Sequence, residues 1–174
     1  MTTTIEQEQN TRTIPLTQGQ VAIVDDGDYE ELAKYKWYAQ KIDRRVYAVR
    51  KVGPPNARLT LYMHRQILNP RPDQQCDHIN GNGIDNRRAN LRLCTHTQNC
   101  YNMHIDPNHS SRFKGVLWDK ERRKWRAEIV VDYKTHYLGR FADEKVAALS
   151  YDTAAREYFG EFACVNFPIN GEQQ

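Results

Sequence analysis

A chain of 174 residues with a net charge of +3, 39% hydrophobic and 27% charged residues has room for two or three small domains with thin cores. No apolar run reaches the roughly 18 residues of a membrane span, and residues 1–13 lack the basic and apolar regions of a signal peptide. The composition therefore excludes a membrane protein and favours one that stays inside the cell that makes it. The net charge alone does not indicate a nucleic-acid partner, so the distribution of charge matters more.

The four cysteines, Cys76, Cys94, Cys100 and Cys164, are irregularly spaced and include no C-x-x-C pair. Structural zinc sites of the common kinds need such pairs, so the spacing does not predict one. We expect reduced thiols.

The N-terminal part predicts a loose tail over residues 1–13 and a small β-rich unit over residues 14–62. Short β-branched or aromatic runs at 21–24, 46–49 and 59–63 are separated by Asp-Gly and Gly-Pro-Pro turns, a pattern typical of short strands. A helix is expected within residues 29–37. The sequence of this unit contains no recognisable catalytic or ligand-binding motif.

Residues 63–105 predict a helix over 63–68, ended by Pro70 and Pro72, and then a strand, a loop, a strand and a helix. The loop is rich in Gly and Asn, and Thr95 is a candidate N-cap for the last helix. Within this order lies a polar string: Asp77-His78-x-Asn80-Gly81, Asp85-Asn86-Arg87, Asn90-Leu91-Arg92 and Asn99.

The string resembles the HNH (ββα-metal) nuclease family, as found in homing endonucleases of phages and introns. The resemblance covers about 25 residues and implies four catalytic residues: His78, Asp77, Asn90 and Asn99. A neutral imidazole with a pKa of roughly 6.5 suits His78 to accept a proton from the attacking water. The resemblance implies that Asp77 and Asn99 are metal ligands. Their oxygen atoms favour Mg²⁺, with Mn²⁺ as a substitute. Asn90 is expected to tie the second strand to the loop.

Several assignments around this string stay open. His96, one helical turn before Asn99, is an alternative metal ligand. His64 is expected to brace the site or to pack rather than to catalyse. Arg87 and Arg92 are equally compatible with gripping phosphate and with solvated charge. Neighbouring residues on a regular strand point to opposite faces, so Asp77 and His78 converge only where the strand twists or ends.

Beyond a linker over residues 106–111, residues 112–168 predict strands at 115–119, 124–131 and 135–141 and a helix from an Asp143 cap to about Phe159, where Gly160 ends it. Alternation in the second strand puts Trp125, Ala127, Ile129 and Val131 on one face. Residues 169–174 are expected to be a tail. Between positions 112 and 140 nine basic residues face four acidic ones.

This module resembles the DNA-binding domain of plant ethylene-response factors over about 55 residues. The motifs include Phe113-Lys114-Gly115-Val116, Tyr137-Leu138-Gly139 and Asn166-Phe167-Pro168. In that family the sheet enters the major groove. The implied DNA contacts, which compete with a simple solvated face, are Lys114, Arg122, Arg123, Lys124, Arg126, Glu128, Tyr137 and Arg140. Leu117, Asp119, Val130 and Thr135 replace base-reading arginines, so the plant target sequence is not expected.

The sequence thus predicts an α+β protein with a small N-terminal β-rich unit, a ββα-metal nuclease core and a C-terminal three-stranded antiparallel sheet packed on one helix. The predicted function is a metal-dependent, sequence-selective homing endonuclease that acts on double-stranded DNA, with no small-molecule cofactor and no membrane partner. We expect it in the cytoplasm of a cell that hosts a phage or mobile element, where a monomer would nick and a homodimer would cut both strands. Rival hypotheses are a non-catalytic DNA-binding transcription regulator and a restriction or repair nuclease.

Overall fold

The computed structural model describes residues 10–102 and 110–169. These residues form two compact units. The N-terminal unit contains residues 10–78 and 82–93, and the C-terminal unit contains 79–81, 94–102 and 110–169. The domain bounds drawn from the sequence stay a prediction, and most of the predicted tails and linker lie outside the described residues. Within the described part of the chain, no helix combines the length and hydrophobicity that a membrane span requires.

The described residues of the N-terminal unit form three small sheets and two short α-helices, and the first two sheets are antiparallel. In chain order, the first sheet has two strands, the second has three and the third has two. In each sheet, neighbouring strands follow one another in the chain. The elements in chain order are β1 (Thr11–Pro15), β2 (Val21–Asp25), α1 (Asp26–Leu32), β3 (Tyr38–Ile42), β4 (Arg45–Val52), β5 (Leu59–Tyr62), α2 (Met63–Leu68), β6 (Gln75–His78) and β7 (Leu91–Cys94).

Two details differ from the sequence-based prediction. Residues 11–13, predicted as tail, belong to β1, because their backbone pairs with β2, where Thr11 lies opposite Asp25. The helix expected within 29–37 begins earlier, at Asp26, and ends at Leu32. The acidic Asp26 and Asp28 lie in its first turn, where carboxylates favour the helix dipole, and the indole of Trp37 donates a hydrogen bond to the Leu32 carbonyl at its end (2.8 Å).

One hydrophobic core joins the β-rich segment to the nuclease segment. Buried Val24, Leu32 and Trp37 pack in the same cluster as Met63 of α2 and Leu91 of β7. Burial of such side chains contributes roughly 1.5–3 kcal/mol each. The N-terminal strands therefore stabilise the elements that carry the catalytic motif.

The C-terminal unit contains α3 (His96–Tyr101), β8 (Val116–Asp119), β9 (Lys124–Val131), β10 (Lys134–Phe141) and α4 (Glu144–Phe159). The sheet is antiparallel in the order β10-β9-β8, with a register shift between Tyr137 and Gly139. Ala127 and Ile129 are buried against small residues of α4 such as Ala147 and Ala155, which confirms the predicted sheet packed on one helix.

Caps define the ends of the two helices of this unit. Asp143 accepts a hydrogen bond from the Val146 amide (3.0 Å), and α4 ends at Gly160, whose φ is 53°. Thr95 caps α3 through a reciprocal pair of hydrogen bonds with Gln98. Both N-caps and the stop at Gly160 are those that the sequence predicts.

Candidate active site

Asp77 and His78 are the last two residues of β6, and both are buried. Their side chains contact different neighbours. Asp77 pairs with Arg92 of β7, whereas His78 lies beside Asn86 of the loop and the rings of Tyr47 and His64. This is the arrangement expected of consecutive strand residues, which project to opposite sides.

The imidazole of His78 is held in a buried, mostly apolar environment. Its Nε2 atom lies 3.4 Å from Oδ1 of Asn86, which is fully buried and whose backbone amide donates to Ile23. Burial lowers the pKa of His78, while the Asn86 hydrogen bond and the charges of Asp77 and Asp85 oppose that shift. The imidazole is therefore neutral near pH 7 and has a lone pair for a proton.

Aromatic rings from earlier strands and α2 enclose this imidazole. The ring of His64 lies perpendicular to that of His78, with centroids 4.8 Å apart, and the ring of Tyr47 lies 6.0 Å away. Tyr62 packs edge-on against Tyr47 (5.8 Å). Sequence reasoning placed Asn86 within the polar string without a role of its own, and it did not identify Tyr47 or Tyr62 as site residues. Only the alternation in β4, which puts Tyr47 on the face opposite Ala48, could have suggested Tyr47.

His64 makes the stability of the N-terminal unit depend on pH. Burial, and secondarily the charge of His78, lowers its pKa from 6.5 to about 3, and its Nδ1 atom has no hydrogen-bond partner among the described residues. Because the pKa of His64 is lower in the folded than in the unfolded protein, its neutral form contributes fully to stability above pH 6.5. That contribution is lost as the pH falls toward 3. We expect about 3 kcal/mol of lost unfolding free energy between pH 7 and pH 4 from this residue.

Urea unfolding at several pH values measures this effect, with His64→Leu as the comparison. The variant should lose about 3 kcal/mol less than the wild type between pH 7 and pH 4. Parallel curves for the two proteins would show that His64 is not the buried neutral group described above.

Asp77 and Arg92 form a buried ion pair between β6 and β7. Nε and Nη2 of Arg92 donate to Oδ2 of Asp77 at 3.0 and 2.7 Å, and the two side chains are 11% and 3% exposed. Sequence reasoning left two roles open for Arg92, a phosphate contact and a solvated surface charge. Because the side chain is largely buried in this ion pair, it is not a solvated surface charge. The pair fixes the carboxylate of Asp77 in a defined position.

Hydrogen bonds within the loop connect it to the second strand. Nδ2 of Asn90 donates to the backbone carbonyl of Asp85 at 2.8 Å, so this side chain ties the start of β7 to the loop. Arg87 donates two hydrogen bonds to the Asp85 carboxylate, at 2.7 and 2.6 Å. The loop thereby holds Asn86 against His78.

Asn99 and His96, the candidate ligands on the following helix, belong to α3 of the C-terminal unit. The amide of Asn99 donates to the Thr95 carbonyl in the first turn, and His96 is exposed with its Nε2 atom 3.8 Å from Sγ of Cys100. Their roles as metal ligands stay predictions.

The described residues contain no group of three His, Cys, Asp or Glu side chains that could hold a metal ion. A single carboxylate with a carboxamide fits a cation that keeps most of its water ligands, as Mg²⁺ does, better than a closed zinc site. The donor chemistry of Asp77 and Asn99 is therefore compatible with Mg²⁺.

The solvent-facing side of the C-terminal sheet carries most of the residues predicted to contact DNA. Arg140 pairs with Asp119 (2.8 Å) and donates to the hydroxyl of Tyr137 (3.1 Å), and Arg126 pairs with Glu128 (3.0 Å). Arg122, Arg123 and Lys124 are exposed in and beside the turn that connects β8 to β9. These groups form a mixed, mainly basic surface.

Lys114 is placed differently from the other predicted DNA contacts. Its Nζ atom donates to the Tyr101 carbonyl at 2.6 Å, and burial lowers its pKa. The ammonium group thus satisfies a backbone acceptor inside the C-terminal unit. Its predicted role in DNA contact stays a prediction.

Comparison with known proteins agrees with this site. A sequence model described as HNH endonuclease matches residues 70–101, which include Asp77, His78, Asn90 and Asn99. An uncharacterized HNH endonuclease of Acanthamoeba polyphaga mimivirus is 34% identical over 85% of this chain and 75% of its own length. Protein 3.8 of Escherichia phage T7 is 37% identical over 50% of this chain and 71% of its own length.

The C-terminal unit has separate relatives. An AP2/ERF and B3 domain-containing protein of Oryza sativa is 44% identical over 59 residues, which are 34% of this chain and 16% of the plant protein. An AP2-like ethylene-responsive transcription factor of Arabidopsis thaliana is 38% identical over 60 residues.

The matched motif and the relatives define the class of protein: a nuclease, which hydrolyses phosphodiester bonds. The chain belongs to the HNH endonuclease family.

Proposed function

We propose that the protein is a metal-dependent, sequence-selective DNA endonuclease of the homing type. The observation that carries this proposal is the buried, neutral imidazole of His78 next to the ion-paired Asp77, inside the matched HNH segment. The relatives in a giant virus and a bacteriophage favour a mobile genetic element, and so a site of action in the cytoplasm of its host cell.

In the proposed reaction His78 accepts a proton from a water molecule whose oxygen attacks the phosphorus atom. The bond from phosphorus to the leaving sugar oxygen breaks, and that oxygen leaves with the electron pair. Asp77 and Asn99 would hold a divalent cation, Mg²⁺ or Mn²⁺ in its place, which would supply charge neutralisation at the phosphate and leaving oxygen. Arg92 holds the carboxylate of Asp77 in position for that role, while Asn90 holds the loop.

The C-terminal sheet is proposed to hold double-stranded DNA. Its resemblance to plant DNA-binding domains and its basic outer surface support this role. The proposed contacts are Arg122, Arg123, Lys124, Arg126, Glu128, Tyr137 and Arg140. Lys114, whose Nζ atom donates to the Tyr101 carbonyl, is a further proposed contact. One catalytic site per chain implies that a monomer nicks one strand, whereas a homodimer would cut both.

The experiment that tests this proposal is incubation of the protein with DNA of the source genome and Mg²⁺, followed by sequencing of all new ends. A homing enzyme should produce ends at one or a few loci, at fixed positions, and His78→Ala should produce none. Ends distributed at random would contradict sequence selectivity, and the absence of new ends at any Mg²⁺ or Mn²⁺ concentration would contradict the nuclease itself.

A further inference from the structure

A basic cavity lies at one end of the β3-β4-β5 sheet, inside the N-terminal unit. It has a volume of about 620 Å³, and its lining includes Lys36, Lys51 and Arg58 together with Tyr38 and Trp37 but no acidic residue. All three cationic side chains are exposed, and none forms an ion pair with any residue the structure describes. Three like charges left without counter-ions around one cavity indicate an anionic ligand.

Two further features suit this cavity to phosphate. Nζ of Lys51 donates to the neutral hydroxyl of Thr60 (2.6 Å), which holds the ammonium in place without cancelling its charge. The hydroxyl of Tyr38 is buried and has no hydrogen-bond partner among the described residues. A phosphate oxygen is an acceptor that could satisfy such a donor.

Two of the residues that line the cavity, Tyr38 and Lys51, lie on the face of the sheet that carries Tyr47, whose ring contacts that of His78. Tyr47, Val49 and Lys51 alternate along β4 and share one face, and Tyr38 pairs with Val49 on that face. The ring of Tyr47 lies 6.0 Å from that of His78. Lys51 is four residues beyond Tyr47, a distance of about 13 Å along the strand, which a DNA backbone covers within a few nucleotides.

We propose that this cavity binds backbone phosphates of the substrate DNA, a few nucleotides from the scissile phosphate. The inference rests on the proposed function, because it assigns the cavity to the same DNA that His78 cuts. It gives the N-terminal unit a role besides stabilising the catalytic motif: the unit sets which phosphate reaches His78, while the C-terminal sheet holds flanking duplex.

The first test is equilibrium binding of duplex DNA at increasing KCl concentration, made in a His78→Ala background so that no cleavage interferes. Each lost phosphate contact lowers the slope of log affinity against log salt by about 0.9. The triple variant Lys36→Gln, Lys51→Gln, Arg58→Gln should therefore lower the slope by about 2 to 3. The control triple Lys34→Gln, Lys41→Gln, Arg71→Gln removes the same charge from exposed positions outside the cavity and should leave the slope nearly unchanged.

The second test locates the contact and separates DNA phosphate from a free phosphate ligand. Single neutral methylphosphonates are placed at successive positions on each strand around the cleavage site. The His78→Ala protein should lose affinity at one or two positions a few nucleotides from the cut, and the cavity triple should be insensitive there. Binding of inorganic phosphate to the cavity, with no response to methylphosphonates at any position, would overturn the proposal in favour of a small-molecule site.

These outcomes are independent of nuclease activity. Equal salt slopes for the cavity triple and its parent would refute the phosphate site even if the wild type cuts DNA. Conversely, a wild-type protein that never cuts DNA would refute the nuclease activity. The salt slopes of the cavity triple and its parent could still differ in that case. If thermal unfolding shows that the triple is not folded, the single variants Lys36→Gln and Arg58→Gln should each lower the slope by about 0.9.

Discussion

Replacing His78 by alanine should lower the rate of DNA cleavage by about 10²- to 10⁴-fold while leaving the affinity for duplex DNA nearly unchanged. The loss of rate is that expected when a positioned general base is removed. Affinity persists because the basic groups proposed to contact DNA lie elsewhere in the chain. Single-turnover cleavage and fluorescence anisotropy with the same duplex measure the two quantities.

The matched variant is His96→Ala, whose imidazole is exposed on α3. It should retain cleavage, because Asn99 rather than His96 is proposed to hold the cation. A large loss of cleavage in His96→Ala would show that His96, rather than Asn99, holds the cation. Equal loss of affinity and rate in His78→Ala would contradict the separation of cutting from binding.

Asp77→Ala should abolish Mg²⁺-dependent cleavage and also destabilise the N-terminal unit by about 3–5 kcal/mol. The first effect follows from loss of the proposed ligand. The second follows because Arg92, whose side chain is only 11% exposed, would keep a buried charge without its partner. Cleavage assays alone would not separate these effects.

The double variant Asp77→Ala, Arg92→Leu separates them. It removes both charges, so its unfolding free energy should return most of the way to the wild-type value, while cleavage should stay absent. Urea unfolding and cleavage are measured for the two single variants and the double variant. Cleavage by the stable double variant at the wild-type rate would remove Asp77 from the metal site.

Much of the fold was predictable because its signals are local. Thr95 and Asp143 act as N-caps at the positions that their side chains and following residues indicate, and Gly160 ends α4. The alternation from Trp125 to Val131 needs only one strand to be read. The order strand, loop, strand, helix around His78 was predictable for the same reason.

The surroundings of the catalytic residues were not predictable, because they depend on contacts between distant parts of the chain. The ring of Tyr47 lies 6.0 Å from that of His78, although these residues are 31 positions apart in the chain. The charges of Arg92 and Lys114 were visible, but a cation in a sequence does not reveal whether it meets a carboxylate, a carbonyl or DNA. The structure pairs Arg92 with Asp77 and Lys114 with Tyr101. Residues 11–13 likewise became a strand only through pairing with β2.

The most direct test of the whole account is conversion of supercoiled plasmid that carries the target site. With Mg²⁺ the wild type should convert it first to nicked circles, with linear DNA appearing only later, and chelation by EDTA should stop the reaction. Plasmid that stays supercoiled in Mg²⁺ and in Mn²⁺, or that is cut equally well in EDTA, would contradict a histidine-activated, cation-dependent nuclease.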